Sequence, residues 1–65
     1  MKNNIRVERA KKRMTQTDLA SAVGTCKVNI GNIENGKTIP RLSLAMRIAK
    51  FFGKKVDEIF HEEEE

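Results

Sequence analysis

The chain has few of the residues that cross-link a very small protein or anchor it in a membrane. It contains one cysteine and one proline, no tryptophan or tyrosine, and no long apolar run. Cys26 alone cannot form an internal disulfide, which predicts a reducing, cytoplasmic setting. No run approaches the ~20 apolar residues that cross a bilayer, and the amino terminus has no signal-peptide stretch. We therefore expect a soluble protein with no membrane partner.

The residue types that build catalytic and metal sites are also scarce. The one histidine, His61, lies beside an acidic terminus, with no second His or Cys at ligand spacing. We find no Ser/His/Asp set, no carboxylate pair and no phosphate-binding loop. A chain of this length has room for one small core and no separate cleft. These absences predict that the protein is not an enzyme and uses no metal, cofactor or small-molecule ligand.

A strong separation of charge is present instead. Residues 1–55 contain all 13 Lys and Arg against three acidic residues, a net charge of +10, whereas residues 56–65 carry six acidic residues and no Lys or Arg. A concentrated positive field attracts a polyanion and releases its counterions on contact. The charge favours a nucleic-acid partner, although a merely solvated basic surface would have the same composition. We interpret the chain as one domain at 1–60 followed by an acidic tail at 61–65.

The apolar residues have helical spacing along the whole chain, with glycine and proline mainly at boundaries. The pattern shows no alternating β run and predicts an all-α fold of five helices, at about 3–13, 16–23, 27–35, 42–52 and 56–60. Thr15 and Asp18 have the spacing of a capping box at the start of the second helix. Gly24 and Gly36 provide left-handed stops for the second and third helices.

The predicted third helix has an unusual outward side. Projected at about 100° per residue, Ile30 and Ile33 form a narrow apolar ridge. Four small or amide-bearing residues without charge lie opposite: Val28, Gly31, Asn32 and Asn35. A solvated helix face more often carries Glu and Lys, whereas amides offer a donor beside an acceptor and so suit base edges. Two short helices joined by a glycine turn, within residues 16–40, are typical of a DNA-binding helix-turn-helix.

Three runs of the sequence resemble the lambda-repressor-like, Cro/cI-type helix-turn-helix family (the xenobiotic-response-element class): TQTDLASAVG, VNIGNIENGKTIPRLSLAMRIAKFFG and VDEIF. The resemblance covers roughly residues 4–60. It rests on positions that fall at the family's spacing, namely Gln16, Leu19, Ala20, Gly24, Ile30, Ile33, Glu34, Asn35, Gly36, Lys37, Pro40, Leu44 and Ala45. The resemblance implies a compact five-helix DNA-binding domain that acts as a dimer and places its third helix in the major groove of double-stranded DNA.

The resemblance also implies roles for individual residues. Positions that read base edges in the family are occupied by Lys27, Val28 and Asn32, and Gly31 lets the helix sit closer to the bases. Positions that contact phosphates are occupied by Gln16, Asn35 and Lys37, to which we add Cys26 and Arg41 at the starts of two helices. Arg9 and Glu34 match a structural salt bridge that lies beside the DNA backbone in several members.

Three positions in or next to the predicted third helix depart from the family pattern. Cys26 stands where most members have Ser or Thr, and a poor cap of this kind costs a helix about 1 kcal/mol. Val28 replaces a common Gln, so adenine readout is lost and contact with a thymine methyl is expected. Gly31 destabilises the helix interior by about 1 kcal/mol relative to Ala. The departures leave the fold and general function intact but leave the operator sequence undefined.

The residues favour a sequence-specific DNA-binding transcriptional regulator, a repressor that binds a palindromic operator as a homodimer. Three apolar residues, Phe51, Ile59 and Phe60, are expected to exceed what a small core buries and to form the dimer interface. An alternative from another class is a protein-interaction module, such as an antitoxin or anti-repressor. That module would use the same fold and bind a protein through residues 56–60.

Overall fold

The computed structural model describes residues 2–61, and five helices make up most of this range. They are α1 (Ile5–Lys11), α2 (Gln16–Val23), α3 (Lys27–Glu34), α4 (Leu42–Phe51) and α5 (Val56–Ile59). Two short strands, β1 (Lys2–Asn3) and β2 (Phe60–His61), pair antiparallel. The predicted all-α class is confirmed, with a terminal strand pair that the sequence pattern did not indicate. None of the helices in this range is long and apolar enough to cross a membrane.

One hydrophobic core, to which every helix contributes, holds the domain together. Its largest fully buried side chains are Ile5, Leu19, Ile30, Ile33, Ile48 and Ile59. Burying one such side chain stabilises a fold by about 1.5–3 kcal/mol relative to leaving it exposed. Since α3 directs both of its isoleucines inward, its opposite side faces solvent.

The start and stop of α2 are local features, and they lie where the sequence predicts them. Thr15 Oγ1 accepts the N–H of Asp18 at 3.0 Å, and a carboxylate oxygen of Asp18 accepts the N–H of Thr15 at 3.0 Å. The hydrogen bond from the Thr15 N–H lowers the pKa of Asp18 the most, and the bond with the Thr15 side chain lowers it further. The pKa of Asp18 therefore lies below its ordinary value. At the other end, Gly24 has a φ of +79°, and Arg47 Nη1 lies 3.1 Å from where a Cβ would stand. The left-handed backbone favours glycine there, and an added side chain would also displace the Arg47 guanidinium by a few tenths of an ångström.

Helix α1 is shorter than the predicted 3–13 at both ends. Asn3 lies in β1, and its Oδ1 accepts the N–H of Ile5 at 3.2 Å, so the helix begins after it. At the other end Arg13 has a φ of +54°, and the N–H of Met14 donates to the carbonyl oxygen of Arg9 at 3.0 Å. This is the pattern of a Schellman stop. Glycine usually fills its left-handed position, so an arginine there leaves no signal in the sequence.

The terminal turn corrects the expectation that Ile59 and Phe60 are exposed for dimer formation. Helix α5 ends at Ile59 rather than Phe60, because Phe60 has extended backbone and pairs with Asn3 in the strand pair. Ile59 is 0% exposed and Phe60 8% exposed, so both side chains belong to the monomer's own core. Of the predicted interface, only Phe51 is exposed, with its ring edge against Phe52.

The boundary of the acidic tail also differs from the prediction at 61–65. His61 is the second residue of β2 and lies opposite Lys2. Its side chain is exposed, and its ring Nε2 lies 3.0 Å from Nδ2 of Asn4. The remaining four glutamates of the predicted tail, residues 62–65, lie outside the described residues.

Candidate functional site

Helix α3 packs mainly against α2 and presents its outer side to solvent. Val28 is 70% exposed, and Lys27 and Asn35 are also exposed. Gly31 and Asn32 lie deeper and are half-buried. The structure therefore gathers the four residues predicted to read bases on one accessible surface, with its lowest point at Gly31 and Asn32.

Gln16, at the start of α2, lies over Gly31. Its Nε2 donates to Oε1 of Glu34 at 3.2 Å, and its amide atoms would be 3.6 Å from a Cβ added at Gly31. Because 3.6 Å is an ordinary van der Waals separation, an alanine would fit in the free protein. Glycine at this position still destabilises the helix by about 1 kcal/mol. Neither space nor backbone conformation in the free protein accounts for glycine at this position.

A buried ion pair fixes the end of α3 against α1. Arg9 Nε donates to Glu34 Oε2 at 2.7 Å, and Arg9 Nη2 donates to Glu34 Oε1 at 3.0 Å. The side chain of Glu34 is only 1% exposed. Arg9 Nη1 donates to the carbonyl oxygen of Met14 at 2.8 Å. The structure thus brings the two residues of the predicted pair together, and the pair also ties down the α1–α2 loop.

The surroundings of Glu34 keep its carboxylate ionised. Burial disfavours the charged form, but hydrogen bonds from Arg9 and Gln16 and the charges of Arg9 and Arg6 outweigh it. The pKa of Glu34 therefore lies below its ordinary value of 4.5. The pKa of Arg9 is raised, chiefly by its hydrogen bond to Glu34. The pair is fully charged at neutral pH and positions Gln16 through the same carboxylate.

Arg6 belongs to the same surface, although it was not among the predicted contacts. Its Nη2 donates to Asn35 Oδ1 at 3.4 Å, and its Nε lies 3.6 Å from Glu34 Oε1. Most of the side chain is exposed. Arg6 precedes Arg9 by three residues, which places the two on the same side of a helix. That spacing is the signal that could have identified it.

Three further predicted phosphate contacts flank α3 and are exposed. Cys26 directly precedes the helix in extended backbone and makes no side-chain capping bond, as expected of a weak cap. Lys37 follows the helix, and its N–H donates to the carbonyl oxygen of Asn32 at 2.9 Å. Arg41 directly precedes α4 and provides no side-chain cap either. All three side chains are exposed, and Arg41 borders a surface depression together with Asn29 of α3.

Comparison with known families and proteins agrees with this geometry. A family model described as helix-turn-helix matches residues 5–59. A helix-turn-helix-type transcriptional regulator of Methanocaldococcus jannaschii, itself uncharacterised, is 48% identical over 60 residues, which are 92% of this chain and 91% of the relative. The similarly described YgzD of Bacillus subtilis is 37% identical over 65 residues, which are 100% of this chain and 98% of the relative.

A solved structure shares the arrangement of the helices. The P22 c2 repressor protein, crystallised in complex with a synthetic operator in the presence of Tl⁺, superposes with a TM-score of 0.79. Its sequence is 28% identical, and the match covers 83% of this chain and 82% of that chain. The similarity therefore extends over most of both molecules.

Proposed function

Because the chain belongs to the Cro/cI-type helix-turn-helix family of DNA-binding transcriptional regulators, we propose that it is a repressor that binds a palindromic operator as a homodimer. In this proposal α3 lies in the major groove, and the bound dimer occludes RNA polymerase in the cytoplasm. The observation that carries it is the accessible, uncharged side of α3, bordered by exposed cations. The similarity to a repressor crystallised with operator DNA supports it.

The outer side of α3 supplies the chemistry for reading bases. The Asn32 amide can pair with the adenine N6/N7 edge, and the Lys27 ammonium can donate to guanine O6 and N7. Val28, the most exposed apolar residue of the helix, fits against a thymine methyl. Gly31 allows the backbone to approach the base edges at the point where Asn32 lies.

The phosphate contacts surround this reading surface. Gln16 has two amide hydrogens, and its bond to Glu34 leaves one for a phosphate oxygen. Arg9 contributes indirectly because its pair with Glu34 holds that carboxylate in place. Direct contacts are assigned to the exposed residues around α3: Cys26, Asn35, Lys37 and Arg41. We add Arg6, whose guanidinium lies beside Asn35.

An exposed apolar patch next to α5 is the surface that we assign to the homodimer in place of Ile59 and Phe60. Ile39 is 71% exposed and Leu42 70% exposed, and both border a shallow apolar depression with Pro40, Ala45, Val56 and the edge of Phe60. Clustered apolar surface on a small soluble domain marks an interaction site. A two-fold dimer would pack this Leu42 patch against its copy and place two α3 helices about 34 Å apart, one turn of B-DNA.

The Leu42 patch can be tested by charge insertion. Leu42→Asp is expected to shift sedimentation from dimer to monomer, because a two-fold interface would bring two buried carboxylates together. Val7→Asp is the matched control, since Val7 is an exposed apolar residue on α1 outside the patch and its replacement should leave the dimer unchanged. A Leu42→Asp protein that still sediments as a dimer would exclude this patch as the interface.

Selection of bound duplexes from a random pool tests the function itself. The wild-type chain is expected to enrich an inverted repeat with half-site centres about 10–10.5 base pairs apart. Asn32→Ala should weaken binding to that site by about 5- to 150-fold per half-site, which corresponds to about 1–3 kcal/mol for one bidentate base contact.

Asn29→Ala provides the matched control on the same helix. The half-buried Asn29 amide donates to Thr25 Oγ1 at 2.9 Å, and Asn29 is neither a proposed base contact nor a proposed phosphate contact. This variant should therefore keep the wild-type site preference. Failure of the wild-type protein to enrich any sequence would refute the proposed operator binding.

The alternative of a protein-interaction module relied on residues 56–60, but Ile59 and Phe60 are buried in the core.

A further inference from the structure

The sequence continues beyond His61 with four consecutive glutamates, and the structure shows where this segment begins. His61 pairs with Lys2 at the strand pair. It also borders a surface depression whose other side is formed by Asn35 and Gly36, at the end of α3. Glu62–Glu65 therefore follow directly from a residue that lies beside the proposed phosphate contacts.

The surface at this depression is cationic. Lys2 borders it, Arg6 contacts Asn35, and Lys37 is the residue that follows Gly36. The carboxylate of Glu34 also borders it but is paired with Arg9, so it does not cancel these charges. We name Lys2, Arg6, Asn35 and Lys37 the Arg6 surface.

Four residues that follow His61 are long enough to reach this surface. An extended segment of four residues reaches about 13–14 Å from its start. The Debye length is about 8 Å at physiological ionic strength, so charges brought together at the Arg6 surface are only partly screened. The segment carries a run of negative charge with the same sign as a stretch of DNA backbone.

We propose that Glu62–Glu65 bind the Arg6 surface in the free protein and compete there with DNA phosphates. The inference rests on the proposed phosphate contacts, because it makes the carboxylates an internal competitor for the same cations. Every duplex must displace the segment, so affinity for cognate and non-cognate DNA falls by a similar factor. Fewer counterions are released on DNA binding, because the carboxylates have already displaced some of them.

The docking is tested first in the free protein, without DNA. The four glutamates are replaced by glutamine, and the Arg6 Nε–Hε and Asn35 side-chain amide resonances are compared with wild type. We expect these resonances to shift, and high salt to shift the wild-type resonances in the same direction. Asp57→Asn, which neutralises an exposed carboxylate on α5, should leave them in place. Unchanged Arg6 and Asn35 resonances in the four-glutamine variant would overturn the proposal.

The competition is tested next by binding to a non-cognate duplex and to the selected site. The four-glutamine variant should bind both about three- to tenfold more tightly at low salt, as expected of a tethered weak competitor. This gain should disappear when Arg6→Gln and Lys37→Gln are also present. An equal gain in both backgrounds would mean a general charge effect and would refute competition at this surface. If the resonances shift but no variant binds DNA, the proposed function fails while the docking stands.

Discussion

Replacing Arg9 by alanine is expected to lower the free energy of unfolding by about 3–5 kcal/mol, because Glu34 is left charged and buried without its bidentate partner. Only 1% of the Glu34 side chain is exposed, so in the folded protein its carboxylate depends on its side-chain partners rather than on water. A domain of this size has a total stability of only about 3–10 kcal/mol. Urea denaturation followed by circular dichroism should show a largely unfolded or barely stable protein.

Two further variants show whether the lost stability comes from the unpaired Glu34 carboxylate or from the loss of a nearby positive charge. Arg6→Ala removes an exposed cation near the same carboxylate and is expected to cost less than about 1 kcal/mol. Arg9→Met with Glu34→Leu removes both charges and keeps apolar volume, which is often neutral or stabilising. If Arg9→Ala costs no more than Arg6→Ala, the buried pair is not a major determinant of the fold.

The same variants predict how acid affects stability. The pKa of Glu34 in the folded protein lies below the ordinary value of 4.5. Its stabilising contribution is therefore complete above pH 4.5 and is lost as the pH falls through the lower folded value, since protons then bind the unfolded chain preferentially. The Arg9→Met, Glu34→Leu protein should lack this part of the acid dependence and keep the part due to Asp18, whose pKa is also lowered.

Raising the salt from about 50 to about 200 mM is expected to weaken DNA binding by about 10⁴- to 10⁵-fold for the dimer. The reason is the set of exposed basic and amide groups that we propose as phosphate contacts. If each monomer neutralises about four or five phosphates, log K falls with log salt at a slope of about −7 to −9. Fluorescence anisotropy titrations across a salt series measure this slope directly, and a slope near −2 would contradict the proposed contact set.

Variants that each remove one positive charge show which surface determines the slope of log K against log salt. With the four terminal glutamates replaced by glutamine, so that no internal competitor is present, Arg6→Gln should make the slope of the dimer less steep by about 2, because one phosphate contact per monomer is removed. Lys50→Gln removes an exposed cation from α4, on a different part of the domain, and should leave the slope unchanged. Equal effects of the two substitutions would indicate that net charge, rather than the contact surface around α3, determines the salt dependence.

Features set by neighbouring residues were predictable from the sequence. Thr15 and Asp18 are three residues apart, and that spacing alone is enough to recognise the start of α2. Gly24 marks the stop for an equally local reason, because its backbone is left-handed. The helical spacing of Ile30 and Ile33 identified the inward side of α3, and the exposed side followed as its opposite.

Features that depend on contacts between distant residues were not predictable in the same way. Phe60 continues an apolar helical pattern, and only its pairing with Asn3 makes it extended and buried. The left-handed Arg13 is set by the packing of the α1–α2 loop, to which Arg9 donates a hydrogen bond. At the candidate site, the family resemblance supplied Arg9 and Glu34, but the contact of Arg6 with Asn35 requires the relative position of two helices.

The strand pair has a consequence for the order of folding. It closes a loop that contains almost the whole chain, and the entropy lost in closing a loop grows with its length. Contacts of such large sequence separation are expected to form late and to open early. Asn3 Nδ2 donates to the carbonyl oxygen of Ile33 at 2.8 Å, and this carbonyl also accepts the N–H of Gly36 at 3.1 Å. An opening that carries Asn3 away would therefore remove one of two hydrogen bonds at the last turn of α3. We therefore expect the strand pair to stabilise the carboxyl-terminal end of α3, although it is far from that helix in the sequence.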